Sequence, residues 1–308
     1  MLKMILKNIL PTKLFNFIRM KPRITLLSDS LYHKIKYINR AAWNQDPDFR
    51  GDVTGIIRKY GHMIDKGLQA ENRQSGRGKD IYVTLNEYLS NVDDSCDTTQ
   101  WAKKISTIYS SLQDGILDRY QYSNFVFENK SNVRIKDLSN FIKERRSIRI
   151  FESDICPDIS DIKEALLLSI WGPSSCNRQS IVTFVTSDEE KVQMCLKQNK
   201  GATAISGSVT FVSVCFDTRA YHLPQESLTG YIDASLGFQN SLLAFHSLGL
   251  GACVLNWSHA SLNEEKNLRD ILNIEEHYQI AFNVIIGVPK YGAPIPGKKN
   301  SKEFIIER

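Results

Sequence analysis

Glu144-Arg145-Arg146-Ser147-Ile148-Arg149-Ile150-Phe151 reads ERRSIRIF, a run of arginines closing on a Phe. Ser139-Asn140-Phe141-Ile142-Lys143, just before it, reads as the end of a helix. A guanidinium presents its donors in a rigid fork that suits phosphate or another planar oxyanion. In an extended segment Arg145, Ser147 and Arg149 would share one side, and Arg146, Ile148 and Ile150 the other. Taken alone, the stretch is equally well a solvated basic turn. The order of the segments around it carries the decision.

Downstream, helices and apolar strands alternate. Residues 157–170 read as a helix with Ile159, Ile162, Leu166 and Ile170 turned inward. Residues 172–179 (GPSSCNRQ) form a loop of small and polar residues, and 181–186 (IVTFVT) a strand. A helix over 189–198 and a buried strand over 209–216 follow. Residues 230–248 make a long helix with Ile232, Leu236, Leu243 and Phe245 among its apolar positions. Residues 249–256 lead into another strand, and Ser261 with Glu264 is a capping box opening a helix to Leu272. Residues 280–288 (IAFNVIIGV) read as the last buried strand, before a tail rich in Pro and Lys. Such alternation means α/β or α+β.

Upstream the texture is helical. Leu2, Ile5, Leu6, Ile9 and Leu10 fall on one helical stripe that Pro11 ends. It reads as a helix docked on the fold; the alternative is a weak contact of residues 2–20 with an anionic membrane surface. Residues 30–60 look helical on Leu31, Ile35 and Ile38, with a turn signal at Asp46-Pro47-Asp48. His62-Met63-Ile64-Asp65-Lys66-Gly67-Leu68 and the polar run from Asn72 to Lys79 come next. Gly76-Arg77-Gly78-Lys79 invites a phosphate-loop reading, but GxxxxGK[ST] is absent, and an ordered loop is expected. Residues 81–122 return to helix through Trp101, Ile105, Ile108 and Leu112, and 124–132 read as a linker.

Composition narrows the class. The chain of 308 residues is 42% hydrophobic and 24% charged, with net charge +5, as expected of a soluble globular protein of roughly two domains. No basic run is long enough to argue for nucleic acid. Six scattered cysteines, without CxxC, fit reduced thiols and a cytoplasmic protein. No apolar run approaches the roughly 18 residues of a membrane span. Gly249-Leu250-Gly251 precedes a strand rather than a helix and lacks the third glycine, which excludes the dinucleotide fingerprint. The histidines at 222, 246, 259 and 277 are too dispersed for a metal site, and no GxSxG elbow is present. Asp233 is either paired with an arginine or solvated. Cys176 and Cys253 are expected in polar loops, as bystanders.

Taken in order, ERRSIRIF, GPSSCNRQ, residues 231–257 and residues 284–300 resemble the nitroreductase family over about 138–308. The resemblance implies an α+β fold, with a mixed sheet flanked by helices over 131–308 and a mainly helical extension over 1–130. It implies an FMN-dependent NAD(P)H oxidoreductase with ping-pong turnover, an unidentified small-molecule acceptor, a homodimer and no side chain obliged to act as acid or base. Arg145, Arg146 and Ser147 match positions holding the phosphate and ribityl chain, and Arg149 the cation near the flavin pyrimidine edge. Pro173, Ser174, Ser175, Asn177 and Gln179 match the loop laid on the partner's flavin. Asn256, followed by Trp257, matches the residue whose backbone N–H meets N5, and Lys298 or Lys299 a C-terminal phosphate ligand. Asn199 and Lys200 are a vague counterpart of polar residues at the ring edge. Leu255-Asn256-Trp257 and 62–68 are similar to members associated with bacterial surface-polysaccharide gene sets. The alternative function is a flavin- or anion-binding interaction protein without turnover.

Overall fold

The computed structural model describes residues 53–69, 76–93, 96–114 and 132–308 apart from 201, 222 and 259, together with Leu31, Lys34, Ile35 and Tyr37. The expected helix at 2–10, the turn at 46–48, the 124–131 part of the linker, His222 and His259 lie outside these residues. No described helix is long and apolar enough to cross a membrane.

Among the described residues three complete helices form the first unit: α1 Thr54–Leu68, α2 Lys79–Leu89 and α3 Asp97–Gln113. Their apolar stripes meet in a core of Ile57, Ile64, Leu68, Leu85, Leu89, Ala102, Ile105 and Tyr109. Residues 60–68 are therefore the second half of α1, not part of a polar loop. His62, Asp65 and Lys66 fall off the Ile57/Ile64/Leu68 stripe, which is why a helix can carry so polar a string. The 81–122 helical run is broken after Leu89, and α3 begins at Asp97.

Past Arg134 come α4 Ile135–Glu144, α5 Ile159–Leu167, β1 Ile181–Thr186, α6 Glu189–Lys197, β2 Thr210–Asp217, α7 Thr229–Ser247, β3 Gly251–Leu255, α8 Leu262–Leu272 and β4 Tyr278–Gly287. The sheet runs β1-β2-β4-β3, antiparallel throughout its named strands. β2 lies between β1 and β4 and is buried on both faces, which explains its unbroken apolar sequence. Phe211, Cys215 and Ile285 face one core, with Leu268 of α8 and Val192 of α6. Val212, Val214, Val284 and Ile286 face the other, with α5 and α7. α8 opens on the expected capping box: Ser261 Oγ accepts from the Glu264 N–H and Glu264 accepts from the Ser261 N–H.

Two helix faces differ from expectation. In α5 the inward residues are Ile162, Ala165 and Leu166; Ile159 is exposed at the helix start, and Ile170 is exposed where the chain tightens to a 3₁₀ turn at Leu168–Trp171. In α7 the core takes Ala234, Phe238, Ser241 and Phe245, leaving Ile232 and Leu236 exposed. Cys253 is a buried residue of β3 rather than a loop thiol.

ERRSIRIF is an extended strap that joins the sheet. Ile148 N–H donates to Ala252 O, Phe151 N–H to Ser206 O and Glu152 N–H to Val288 O. The Ser147–Ala252 and Ile150–Ser206 bridges are parallel, so the strap supplies the mixed character of an otherwise antiparallel sheet. Ile148 and Phe151, three apart, are its buried residues, so the strap is not a regular two-residue zigzag. Gly207 makes its passage possible. Its φ is +92°, and a Cβ there would lie 2.1 Å from Phe151 O. Gly207→Ala is expected to lose about 1–3 kcal/mol from backbone strain alone, read as a lower denaturation midpoint. Gly297→Ala, where a Cβ meets nothing within 4 Å, should be near neutral.

Candidate functional site

α4 delivers the chain to the strap, and its C-terminal carbonyls fix Arg146. The Arg146 guanidinium donates to Lys143 O and Arg145 O. Arg146 thus satisfies orphan carbonyls at a helix end, a structural duty the sequence did not reveal. Arg145, Arg149 and Lys298 carry no ion pair or side-chain hydrogen bond to any described residue. All three line one cleft of about 720 Å³, together with Arg146, Ser147, Gln239 and the apolar turn Ala293-Pro294-Ile295-Pro296. Its cationic wall reaches the sheet: burial pushes the Cys253 thiol up, and the charges of Arg149 and Arg145 oppose that push. A multiply charged oxyanion fits this donor set, because several cations with no carboxylate partner among the described residues surround one volume. Lys299 does not line the cleft.

The 172–179 loop lies elsewhere, and none of its residues lines this cleft. It is held from beneath by Arg178, which is 1% exposed. Arg178 Nη2 pairs with Glu226 Oε1 at 2.5 Å, and its Nη1 donates to Ser175 Oγ at 2.9 Å. Its guanidinium sits 5.1 Å from the Tyr221 ring, and its carbonyl accepts from Arg58 Nε of α1 at 2.8 Å. Asp233 is neither solvated nor paired with an arginine. It is buried, and accepts from the Ser175 N–H at 3.0 Å and Tyr221 Oη at 2.8 Å. Burial pushes its carboxyl up, against the lowering effect of those two donors. Above this network Cys176, Asn177 and Gln179 all take positive φ, of 51°, 54° and 50°. Three left-handed non-glycine residues within four positions amount to strain that the network beneath must hold.

The remaining expected residues divide. Pro173 is exposed, and Ser174 Oγ accepts from the Gln179 N–H. Asn177 Oδ1 accepts from Gln179 Nε2 at 3.0 Å. Asn256 is exposed just past β3, with its Oδ1 accepting from the Ser258 N–H. Trp257 is buried within the sheet core, so its ring is taken by packing. Asn199 and Lys200 do not form a ring-edge pair. Asn199 is buried between Cys195 O and Asn283, and Lys200 pairs with Glu264. His246 packs on Phe141, ring to ring at 4.9 Å. Among the described residues no His/Cys/Asp/Glu group could hold a metal.

The comparisons with known proteins bear on the same part of the chain. Residues 197–288 match the model of the Nitroreductase family. A relative from Methanothermobacter thermautotrophicus, named as an NADH dehydrogenase/NAD(P)H nitroreductase, is 29% identical over 167 residues, 53% of this chain and 82% of its own. A nitroreductase-like protein of Streptococcus mutans superposes with TM-score 0.50 at 17% identity, over 56% of this chain and all of that one. A Desulfovibrio desulfuricans nitroreductase, solved in complex with FMN, gives TM-score 0.48 at 23% identity over 56% of this chain and 96% of its own. The fold of the C-terminal part is nitroreductase-like, α+β as expected.

Arg178→Met would leave Glu226 largely buried without its partner and release Ser175. Breaking a buried pair from one side costs about 3–5 kcal/mol, and a fall in the denaturation midpoint of that size is expected. An unchanged midpoint would mean that the pair does not hold the loop.

Proposed function

We propose that the chain is an FMN-dependent NAD(P)H oxidoreductase whose flavin phosphate is held in the Arg145/Ser147/Lys298 cleft. The observation carrying this is the convergence of three cations without carboxylate partners among the described residues, two from the strap and one from the tail, on one volume. The match to the Nitroreductase family over 197–288 and the relative named as an NAD(P)H nitroreductase support it. Bound FMN would supply a two-electron acceptor for hydride from NAD(P)H. Arg145 and Lys298 neutralise phosphate charge, and Ser147 offers a hydroxyl. Arg149, two residues on, offers a cation where negative charge develops on reduction. Turnover is ping-pong: the nicotinamide donor leaves before a small-molecule acceptor enters. Among the described residues no acidic side chain lines the cleft to act as a dedicated proton donor, so that proton would come from water or the flavin itself.

The active form is a homodimer. α4 has no residue buried within its own chain, though Ile135, Leu138 and Ile142 are apolar, and Ile232 and Leu236 on α7 are exposed too. Apolar surface of this extent is what a second copy would cover. The strained 174–179 loop then serves the partner's flavin, with Pro173, Ser174, Ser175, Asn177 and Gln179 facing it. The Asn256 backbone N–H would complete the site near N5. The acceptor is unidentified; the likeness of Leu255-Asn256-Trp257 and residues 62–68 to members associated with surface-polysaccharide gene sets supports, as a second reading, redox chemistry on a polysaccharide precursor.

Purified protein should be yellow and bleach anaerobically with NAD(P)H. A protein that binds FMN and never bleaches is instead a binding module. Arg145→Ala is expected to weaken FMN binding by about 1.5–3 kcal/mol, the scale of one charge-assisted hydrogen bond; equal affinity by fluorescence titration would contradict the placement. Arg149→Met should keep most of its FMN. Its midpoint potential should fall by roughly 30 mV for each 1.4 kcal/mol of reduced-form stabilisation lost. An unchanged potential in the FMN-saturated variant would mean that Arg149 does not act on the ring.

A further inference from the structure

A second cavity, of about 610 Å³, opens between α1, the Gly76–Gly78 turn and the tip of the 172–179 loop. His62 and Lys66 reach it from α1, Arg77 from the turn and Cys176 from the loop, and among the described residues no acidic one lines it. His62 and Lys66 are four apart, so both lie on one helix face. The turn that carries Arg77 is built for its place. Gly76 and Gly78 both have left-handed φ, of +77° and +83°. Gly76 N–H donates to Gln113 Oε1 at 2.8 Å, and Tyr109 Oη donates to Arg77 O at 3.1 Å. Two bonds from α3 thus fix the backbone on either side of the Arg77 Cα. Gly78 is also the N-cap of α2 and has no side chain to satisfy the first-turn N–H groups. Those groups and the positive end of the helix lie beside the same cavity, which Gly78 and Ile81 line. Met63, Leu68 and Ile81 supply an apolar wall.

Two cations, a histidine, an uncapped helix start and an apolar wall around one volume favour a ligand with a phosphoryl group at one end and an apolar body. We propose that this cavity is a subsite for the phosphoryl group of a small molecule that reacts at the flavin. The inference rests on the reading above in one respect: the 172–179 loop, whose Cys176 closes the cavity, is the loop that serves the partner's flavin. A molecule anchored here would reach that flavin past the loop. The phosphoryl group has two sources, the acceptor or the 2′-phosphate of NADPH. The string Gly76-Arg77-Gly78-Lys79, which fits no phosphate-loop pattern, gains a role by this route.

The test uses Cys176 as a reporter in the full-length protein. Carboxymethylation by iodoacetate is followed by peptide-resolved mass spectrometry, with the exposed Cys156 as internal reference. Inorganic pyrophosphate at saturation is expected to slow the reaction at Cys176 by about tenfold or more and to leave Cys156 unchanged; a tenfold effect corresponds to 1.4 kcal/mol. The Lys66→Ala/Arg77→Ala double variant should need about tenfold or more pyrophosphate for half-protection, the scale of a lost charge-assisted contact. Protection by NADPH but not by NADH assigns the phosphoryl group to the nicotinamide donor. Equal behaviour of the two, with pyrophosphate still protecting, assigns it to the acceptor. No protection by pyrophosphate, or protection unaltered in the double variant, overturns the proposal. Neither readout needs FMN or turnover, so an active flavoenzyme can fail this test and a protein that binds no FMN can pass it.

Discussion

The backbone clasp on residues 145–152 is the constraint from which the cleft follows. Ile148, Phe151 and Glu152 each donate an N–H to a different neighbour: the start of β3, the 206–208 turn and the end of β4. Phe151 fills the core at 1% exposure, worth roughly 1.5–3 kcal/mol of burial. A segment so tied has little freedom in where it presents Arg145, Ser147 and Arg149. Ordering entropy for those arginines is then partly met by the fold itself, which is how a preformed anion site gains affinity. The tail adds Lys298 to the lining of the same cleft.

A second rigid device holds the 174–179 loop. The buried Arg178 with Glu226, and Asp233 with Tyr221 and Ser175, give that loop a shape its own sequence would not adopt, with three left-handed residues. Such a network specifies geometry more than it adds stability. It also joins the two units, because Arg58 of α1 donates to the Arg178 carbonyl. The helical unit is thus docked on the loop that, in the proposed dimer, would serve the neighbouring subunit. Under the proposed function this contact would let the extension bear on which molecules reach the flavin.

How much could be read beforehand depended on what each signal measures. Strand β1, helix α8 and its capping box were legible because apolar runs and caps are local. The strap was legible as a cationic segment, but a second duty of Arg146 was not: only the structure reveals that its guanidinium, besides lining the cleft, closes the end of α4. Arg178 looked like one more polar residue of GPSSCNRQ, and its burial depends on Glu226 and Tyr221, some forty to fifty positions away. Asp233 was ambiguous for the same reason. The inward faces of α5 and α7 were drawn too wide because Ile159, Ile170, Ile232 and Leu236 are apolar yet exposed. Periodicity registers that a residue is apolar, not whether its own chain or another covers it.

The central claim is that the cleft on one copy and the 174–179 loop on another make one site. Complementation in mixed dimers tests it directly. One chain carries Arg145→Ala with Lys298→Ala, and the other Asn177→Ala with Gln179→Ala. Each homodimer has only defective sites. In the mixed dimer one site combines an intact cleft with an intact loop, so NAD(P)H oxidation should recover toward half of the wild-type rate per dimer. A mixed dimer no more active than the two variants measured apart would contradict the account and place both elements of each site in a single chain.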